Sequence, residues 1–328
     1  MKIGWIGVGR MGLPMVLRLL HAGYAPMVWN RTFDKAAPLA AQGATVVHRL
    51  GDLRGADVVF TMLATGRSVL DVCVGPDGLA GGGAKRTPGI VVDCSTIGMD
   101  ESRELRSRLA ARGVEYLAAP VSGNPRCVVA GKLSSVVSGS AQAMLKVRPL
   151  IEAYSGRGMA YVGEGELARV CKIAHNVLLA ATITNLFEVI LIAQKAGISR
   201  HAFLQFINSS VIGSMFTQYK SSALVNLDWT TTFTVGGLLK DIDLGLQSAH
   251  ALGVSAPITA AVREVFQAHL GVAALRPDAR EYLQKDFAAM FETMAAAAGI
   301  TPVSENLAVP TGLEPPPDER PTNQRAGR

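Results

Sequence analysis

The chain has 328 residues, about half of them hydrophobic, and 32 basic against 26 acidic side chains give a formal charge of +6. That length exceeds one ordinary core and suits two domains, and the apolar content is enough for a large buried interior. The charge is too mild, and its densest basic stretch (residues 103–112) too broken by Glu104 and apolar residues, for a nucleic-acid patch; the four cysteines and six histidines fall at no metal-ligand or redox spacing, so reduced thiols and no metal are expected.

The chain opens on a strand pattern over residues 2–6, without a signal-peptide core, so a cytoplasmic protein is expected. Gly7, Gly9 and Gly12 follow at once, then an apolar-periodic helix over residues 13–22, then a strand over residues 25–29. A strand, a glycine-rich turn and a helix in this order make a dinucleotide cradle. Gly7 allows the tight turn, Gly9 the approach of backbone to a pyrophosphate, and Gly12 the close packing of helix on strand. The whole turn, with Val8, Arg10 and Met11 between the glycines, is the candidate cofactor loop, with the anion at a helix N-terminus. A glycine-rich turn without a ligand is the competing interpretation.

The second strand ends at Trp29 and is followed by Asn30, Arg31 and Thr32. An NAD-selective site carries an acid there for the ribose hydroxyls. Arg31 instead suits a 2′-phosphate, so NADP(H) is the preferred cofactor, with NAD(H) as the alternative. A merely superficial Arg31 would carry no such meaning.

Strand patterns recur over residues 57–63, 90–94, 115–118, 134–138 and 159–162, with a helix over 141–154. Apolar runs of this kind read as parallel strands buried on both faces. Ligands of such sheets bind at the carboxyl ends of the strands. Met62 and Leu63, the segment Asp93-Cys94-Ser95-Thr96, and the segment Ala119-Pro120-Val121-Ser122-Gly123 are therefore candidate walls of the site.

Residues 163–197 hold no proline and no internal glycine between Gly165 and Gly197. They read as one helix of about thirty residues, roughly 45 Å long. Asn185 and Glu188 interrupt its apolar run, which argues for a core helix over a membrane span. Ala168, Lys172 and Asn176 share one face and suggest a lined cavity; a lysine that snorkels to solvent is the alternative. Helical patterns then cover residues 199–208, 216–225, 235–252, 256–270 and 281–298, with Lys240 and Asp241 inside one of them. The expected organisation is a dinucleotide-binding domain over residues 1–164, an all-helical domain over 165–299, and a disordered proline-rich tail over 300–328.

These segments in this order resemble the β-hydroxyacid dehydrogenase family, over about residues 1–298. The glycine turn with Leu13, Pro14 and Met15 is similar to the family's cofactor turn, and the Asp93–Thr96 segment to one whose threonine, here Thr96, contacts the cofactor. The segment ending Ser122-Gly123 is similar to the substrate motif, Lys172 and Asn176 to the catalytic pair, and Lys240-Asp241 to a pair whose lysine reaches the cofactor. The resemblance implies an α/β Rossmann-type doubly wound parallel sheet, followed by an all-α domain entered through a long interdomain helix. It implies hydride transfer between nicotinamide and a small carboxylate-bearing β-hydroxyacid or its semialdehyde, with Lys172 as general acid and base. It also implies a homodimer or homotetramer, with no nucleic-acid or membrane partner.

The chain departs from the family pattern at Gly98, Asn124, Cys127, Val128, Lys132 and His175. Most of these lie in the substrate loop, where Asn124, Pro125 and Arg126 are bulkier than the usual glycines. Ser122, Gly123, Asn124 and Arg126 are the candidate substrate residues, Arg126 for a second polar group, and poor turnover of 3-hydroxyisobutyrate itself is expected. An imine reductase and a catalytically inactive dinucleotide-binding module are the rival interpretations; Lys172 argues against both.

Overall fold

The computed structural model describes residues 1–314, which divide after residue 175 into two compact units. The first contains strands β1 (Ile3–Ile6), β2 (Met27–Trp29), β3 (Thr45–Val46), β4 (Val58–Thr61), β5 (Ile90–Asp93), β6 (Glu115–Ala118), β7 (Val121–Ser122), β8 (Ser134–Gly139) and β9 (Gly158–Tyr161). Its helices are α1 (Gly12–His21), α2 (Gly66–Val74), α3 (Met99–Ala110), α4 (Pro125–Val129), α5 (Ala141–Tyr154) and the first turns of α6 (Leu167–Lys195).

Strands β3-β2-β1-β4-β5-β6 lie side by side and parallel. Alternate residues feed two cores, one on each face. Ile3, Trp5, Val28, Phe60 and Val92 pack with α1 and α5, while Ile6, Val59 and Val91 pack with α2 and α3. Burial on both faces is why these strands read as unbroken apolar runs. Trp5 stacks on Phe60 with ring centroids 5.5 Å apart, and Tyr154 of α5 meets both rings edge-on.

The sheet is mostly parallel, as expected of a doubly wound fold; β8 alone runs antiparallel to its neighbours β6 and β7. A parallel crossover needs a dozen or more residues and usually a full helix. The connection over residues 123–133 contains only the short α4, so the chain turns straight back. β6 and β7 hold one register along β8 across Pro120, whose carbonyl accepts from Val136 N at 3.1 Å. β9 then pairs parallel to β8, with Ser134 opposite Gly158. The reversal brings the starts of β8 and β9 to the edge where β1, β4, β5 and β7 end.

The second unit comprises the rest of α6 with α7 (Arg200–Ser209), α8 (Met215–Asn226), α9 (Val235–Ala251), α10 (Pro257–Ala274), α11 (Ala279–Tyr282) and α12 (Met290–Ala297). By length and composition α6 could cross a bilayer, with a mean hydropathy of 1.9 over its most apolar window, but half of that window is buried inside the protein. Ala180, Ile183, Phe187 and Ile190 belong to the core of this unit.

Two expectations for this unit are corrected. The single helix over residues 281–298 is broken at Asp286. The Asp286 carboxylate is buried, accepts from Thr232 N at 2.9 Å and Ala288 N at 3.0 Å, and pairs with buried Lys220. An aspartate with that many donors caps a turn in preference to continuing a helix. The tail is not a disordered segment from residue 300. Glu305 accepts from Arg200 N at 2.8 Å and His201 N at 3.0 Å at the start of α7, Asn226 exchanges two hydrogen bonds with Leu307, and Leu313 is buried. Polar composition hid this strap because its own backbone and one carboxylate do much of the anchoring, with only Ile300, Val309 and Leu313 adding apolar contact. Residues 315–328, including Pro315-Pro316-Pro317, lie outside the described residues.

Candidate active site

The parallel strands reverse order between β1 and β4, the point at whose carboxyl ends such sheets bind their ligands. Gly7 sits at φ +95°, and a side chain on it would meet the Met62 carbonyl at 2.4 Å. A Cβ on Gly12 would lie 2.0 Å from the Gly7 carbonyl, so α1 packs directly on the turn. At Gly9 a Cβ would meet nothing within 4 Å. The protein's own packing does not demand a glycine there, and the backbone at this position is open to the approach of a ligand. Asn30 accepts from Val8 N at 3.1 Å and donates to the Thr32 carbonyl at 2.7 Å, tying the end of β2 to the turn. Arg10 and Arg31 are exposed beside it. Leu63 N donates to Ser95 Oγ at 2.9 Å, joining the next two strand ends, with half-buried Thr96 adjoining. This open, cation-flanked backbone fits a dinucleotide. Among the described residues no cluster of three or more His, Cys, Asp or Glu could hold a metal ion.

A buried ion pair fixes the head of α6. Arg169 is 1% exposed and pairs with fully buried Asp93 at the end of β5. It also donates to Tyr116 Oη at 2.7 Å, Ser102 Oγ at 3.2 Å and the Ser95 carbonyl. Asp93 in turn accepts from Thr61 Oγ1 at 2.6 Å and Ser95 N at 3.1 Å. Burial disfavours the Arg169 charge, but Tyr116 and Asp93 outweigh it and hold its pKa above the usual arginine value. Burial pushes the Tyr116 phenol up to about 12, against the pull of Arg169. The network locks α6 to the cofactor edge one turn before Lys172.

Ser122, Ser134, Arg157, Cys171, Lys172 and His175 line one cavity of about 420 Å³ at that edge. Ser122 Oγ and His175 Nε2 are 2.8 Å apart and share a hydrogen bond. Lys172 is only 9% exposed, so it does not snorkel. Gly123 sits at φ +134°, with Cys127 and Leu133 each 2.9 Å from where a Cβ would be, so the substrate loop is tightly packed. Asn124 uses its carbonyl oxygen to cap α4, accepting from Cys127 N at 3.0 Å, while its buried Nδ2 has no hydrogen-bond partner among the described residues. Arg126 is exposed on α4, outside the cavity wall; the arginine among the lining residues is Arg157, also exposed.

In the second unit, Asn176 is 2% exposed and donates to the buried carboxylate of Asp241 on α9. Lys240, half exposed, makes a 3.0 Å charge contact with the other Asp241 oxygen. Lys172 and Asn176 stand one turn apart on α6.

Residues 2–163 match the family described as the NAD-binding domain of 6-phosphogluconate dehydrogenase, and residues 166–284 the one described as NAD-binding of NADP-dependent 3-hydroxyisobutyrate dehydrogenase. A 3-hydroxyisobutyrate dehydrogenase of Pseudomonas aeruginosa is 30% identical over 81% of this chain and 91% of its own length. A 2-hydroxy-3-oxopropionate reductase of Escherichia coli is 30% identical over 81% and 90%. The chain belongs to the β-hydroxyacid dehydrogenase family.

As a member of that family it is an NAD(P)-dependent oxidoreductase. The solved structure of Psf3 in complex with NADP+ and 2-OPP superposes with a TM-score of 0.77 at 27% identity, covering 89% of this chain and 99% of that one. An imine reductase from Myxococcus stipitatus is more distant, with a TM-score of 0.56 at 20% identity, and shares the fold alone. Of the residues expected at the dehydrogenase site, the first unit brings Ser122 and Lys172 to one cavity and gathers Gly7–Gly12, Asn30–Thr32, Met62, Leu63 and Thr96 at one sheet edge. Sequence reasoning missed Arg169, Arg157, the bond from Asn176 to Asp241 and the position of His175. Arg169 had a signal, a third basic or amide group on the polar side of an apolar helix. Arg157 had none, because its place depends on the reversal at β8.

Proposed function

We propose that this enzyme catalyses reversible hydride transfer between NADP(H) and a small β-hydroxyacid or its semialdehyde, with Lys172 as general acid and base. The observation that carries the proposal is the burial of Lys172 in the wall of a cavity, on a helix held by Arg169 and Asp93 at the cofactor edge. The nicotinamide, when bound, supplies or accepts the hydride. Lys172 Nζ donates a proton to the carbonyl oxygen in reduction and takes it back in oxidation. Ser122 Oγ and the Gly123 N–H hold the substrate carboxylate. Asn176, oriented by Asp241, directs its amide at Lys172 or the reacting oxygen. Arg31 binds the 2′-phosphate, and Lys240 is assigned to the cofactor on the family resemblance alone. A cytoplasmic homodimer or homotetramer joined through the helical unit completes the proposal, in keeping with four free cysteines.

Lys172→Ala tests it. Turnover on the best substrate of a semialdehyde panel should fall by on the order of 10² to 10⁴, the range for a positioned acid–base group, while NADPH binding by fluorescence titration stays near wild type. Lys172→Arg should fail almost as badly, because a guanidinium cannot serve as base. A wild-type kcat in Lys172→Ala overturns the mechanism.

A further inference from the structure

We propose that His48, held flat against Phe33, is a second donor to the 2′-phosphate of NADP(H), beside Arg31. The inference rests on the NADP(H) preference proposed above and adds a residue to that subsite.

A phosphate monoester presents up to two negative charges and three acceptor oxygens. One guanidinium fork engages two of those oxygens with parallel hydrogen bonds. The third is left for a donor from another direction, and β3 is the strand beside β2 that can supply one. The two strands pair in parallel, with Met27 opposite Thr45 and Val28 opposite Val46. The pairing extends one step further, where Val47 N donates to the Val28 carbonyl at 2.9 Å. Carried on at the same offset, it sets His48 beside Asn30, about 5 Å away, at the carboxyl edge of the sheet.

The side chains agree with that placement. The His48 ring lies on the Phe33 ring, with centroids 4.1 Å apart and planes 10° from parallel. Phe33 directly follows Asn30, Arg31 and Thr32, so the imidazole is folded toward the turn that carries Arg31. The other side of this turn is fixed by Asn30, which ties Val8 N to the Thr32 carbonyl. Arg31 and His48 thus stand on two pinned segments. A stack uses the face of an imidazole and leaves its two nitrogens, at the ring edge, for hydrogen bonds. Both residues are exposed, and among the described residues no hydrogen bond or ion pair engages the Arg31 guanidinium or the His48 nitrogens. A neutral imidazole presents one N–H and a protonated one two, so the ring donates in either state. Residues 30–35 and 47–52 carry Arg31, Lys35 and Arg49 against Asp34 and Asp52, and Asp52 is turned to the backbone, accepting from Arg49 N at 3.3 Å. The neighbourhood of the ring is open and basic in balance, which suits a phosphate better than the bare ribose hydroxyl of NAD(H).

A histidine that only covered the edge strand would make the same stack, so the test separates the ring from its nitrogens. Fluorescence titration with NADPH and with NADH, which differ only in the 2′-phosphate, reads the subsite without any turnover. Wild-type enzyme should bind NADPH more tightly by on the order of tenfold or more, as for hydrogen bonds to a charged group. His48→Phe keeps a ring on Phe33 and loses both nitrogens. It should cut that preference by on the order of tenfold, with NADH affinity changing much less. His48→Gln keeps an N–H donor and should retain more of the preference than His48→Phe. If Arg31→Ala reduces the preference and His48→Phe leaves it intact, the NADP(H) preference stands and the His48 donor is overturned. Equal losses of NADPH and NADH affinity in His48→Phe also overturn it, because they mark a ring that only supports the turn. A wild-type preference near one overturns both the NADP(H) preference and the subsite.

Discussion

Each unit of this protein contains a buried ion pair, and the two do different things. Arg169 and Asp93 join α6 to β5 at the edge where the glycine turn lies. Lys220 and Asp286 join α8 to the segment before α12, with the Lys220 ammonium 4.2 Å from the centre of the Phe287 ring. Asp286 is held below the usual carboxylate range because Lys220 and its hydrogen bonds outweigh the cost of its burial. Both acids accept from backbone N–H groups as well as from their cation, so neither pair is a bare charge contact. The difference lies in what each pair holds still. The first fixes the helix that carries Lys172; the second closes a helical core and breaks a helix in two. A buried ion pair by itself therefore signals neither stability nor function until the elements it joins are known.

Replacing one partner of each pair separates the roles, and this is the largest effect expected on folding. Arg169→Met and Lys220→Met should each cost about 3–5 kcal/mol, because each leaves a buried carboxylate without its cation. Chemical denaturation would measure that loss. The kcat of the remaining folded enzyme should fall in Arg169→Met, where α6 is released from β5, and stay near wild type in Lys220→Met. Equal losses of kcat in both variants would erase the distinction.

A smaller effect distinguishes the units by pH. His269, on α10, shares a 2.7 Å hydrogen bond with Thr293 Oγ1, and burial lowers its pKa from 6.5 to about 4. Its folded pKa is depressed, so its stabilisation is fully present above pH 6.5 and is lost as pH falls toward 4. The integrated loss is at most about 3 kcal/mol. Thermal unfolding followed between pH 7 and pH 4 should show this decline, and His269→Gln should flatten it. An unchanged slope in that variant would place the acid sensitivity elsewhere.

The smallest effect concerns an exposed guanidinium of the first unit. Arg31 is solvated where Arg169 is buried, so its substitution should leave folding intact. Arg31→Glu should weaken NADPH by on the order of tenfold through like-charge repulsion at the 2′-phosphate, and NADH much less. Equal or tighter NADH binding by the wild-type enzyme sinks the NADP(H) preference.

Much of the cofactor edge was legible in the residues. Gly7, Gly9 and Gly12 between a strand and a helix announce a dinucleotide turn, because close backbone approach leaves no room for side chains. The long helix with Lys172 was legible too, since its apolar period runs from residue 167 to 195 without a breaker. These features are local: each follows from periodicity, sterics or the conformational needs of one segment. The reversal of β8, the strap over residues 300–314 and the break at Asp286 were decided only by tertiary structure. In each case backbone hydrogen bonds between distant segments set the outcome, and no local pattern records which distant partner a backbone group will find. Arg157 shows the consequence for function. Had β8 run parallel to β6, the start of β9 and Arg157 would lie at the amino ends of the parallel strands; the antiparallel β8 brings Arg157 to the wall of the cavity that holds Lys172.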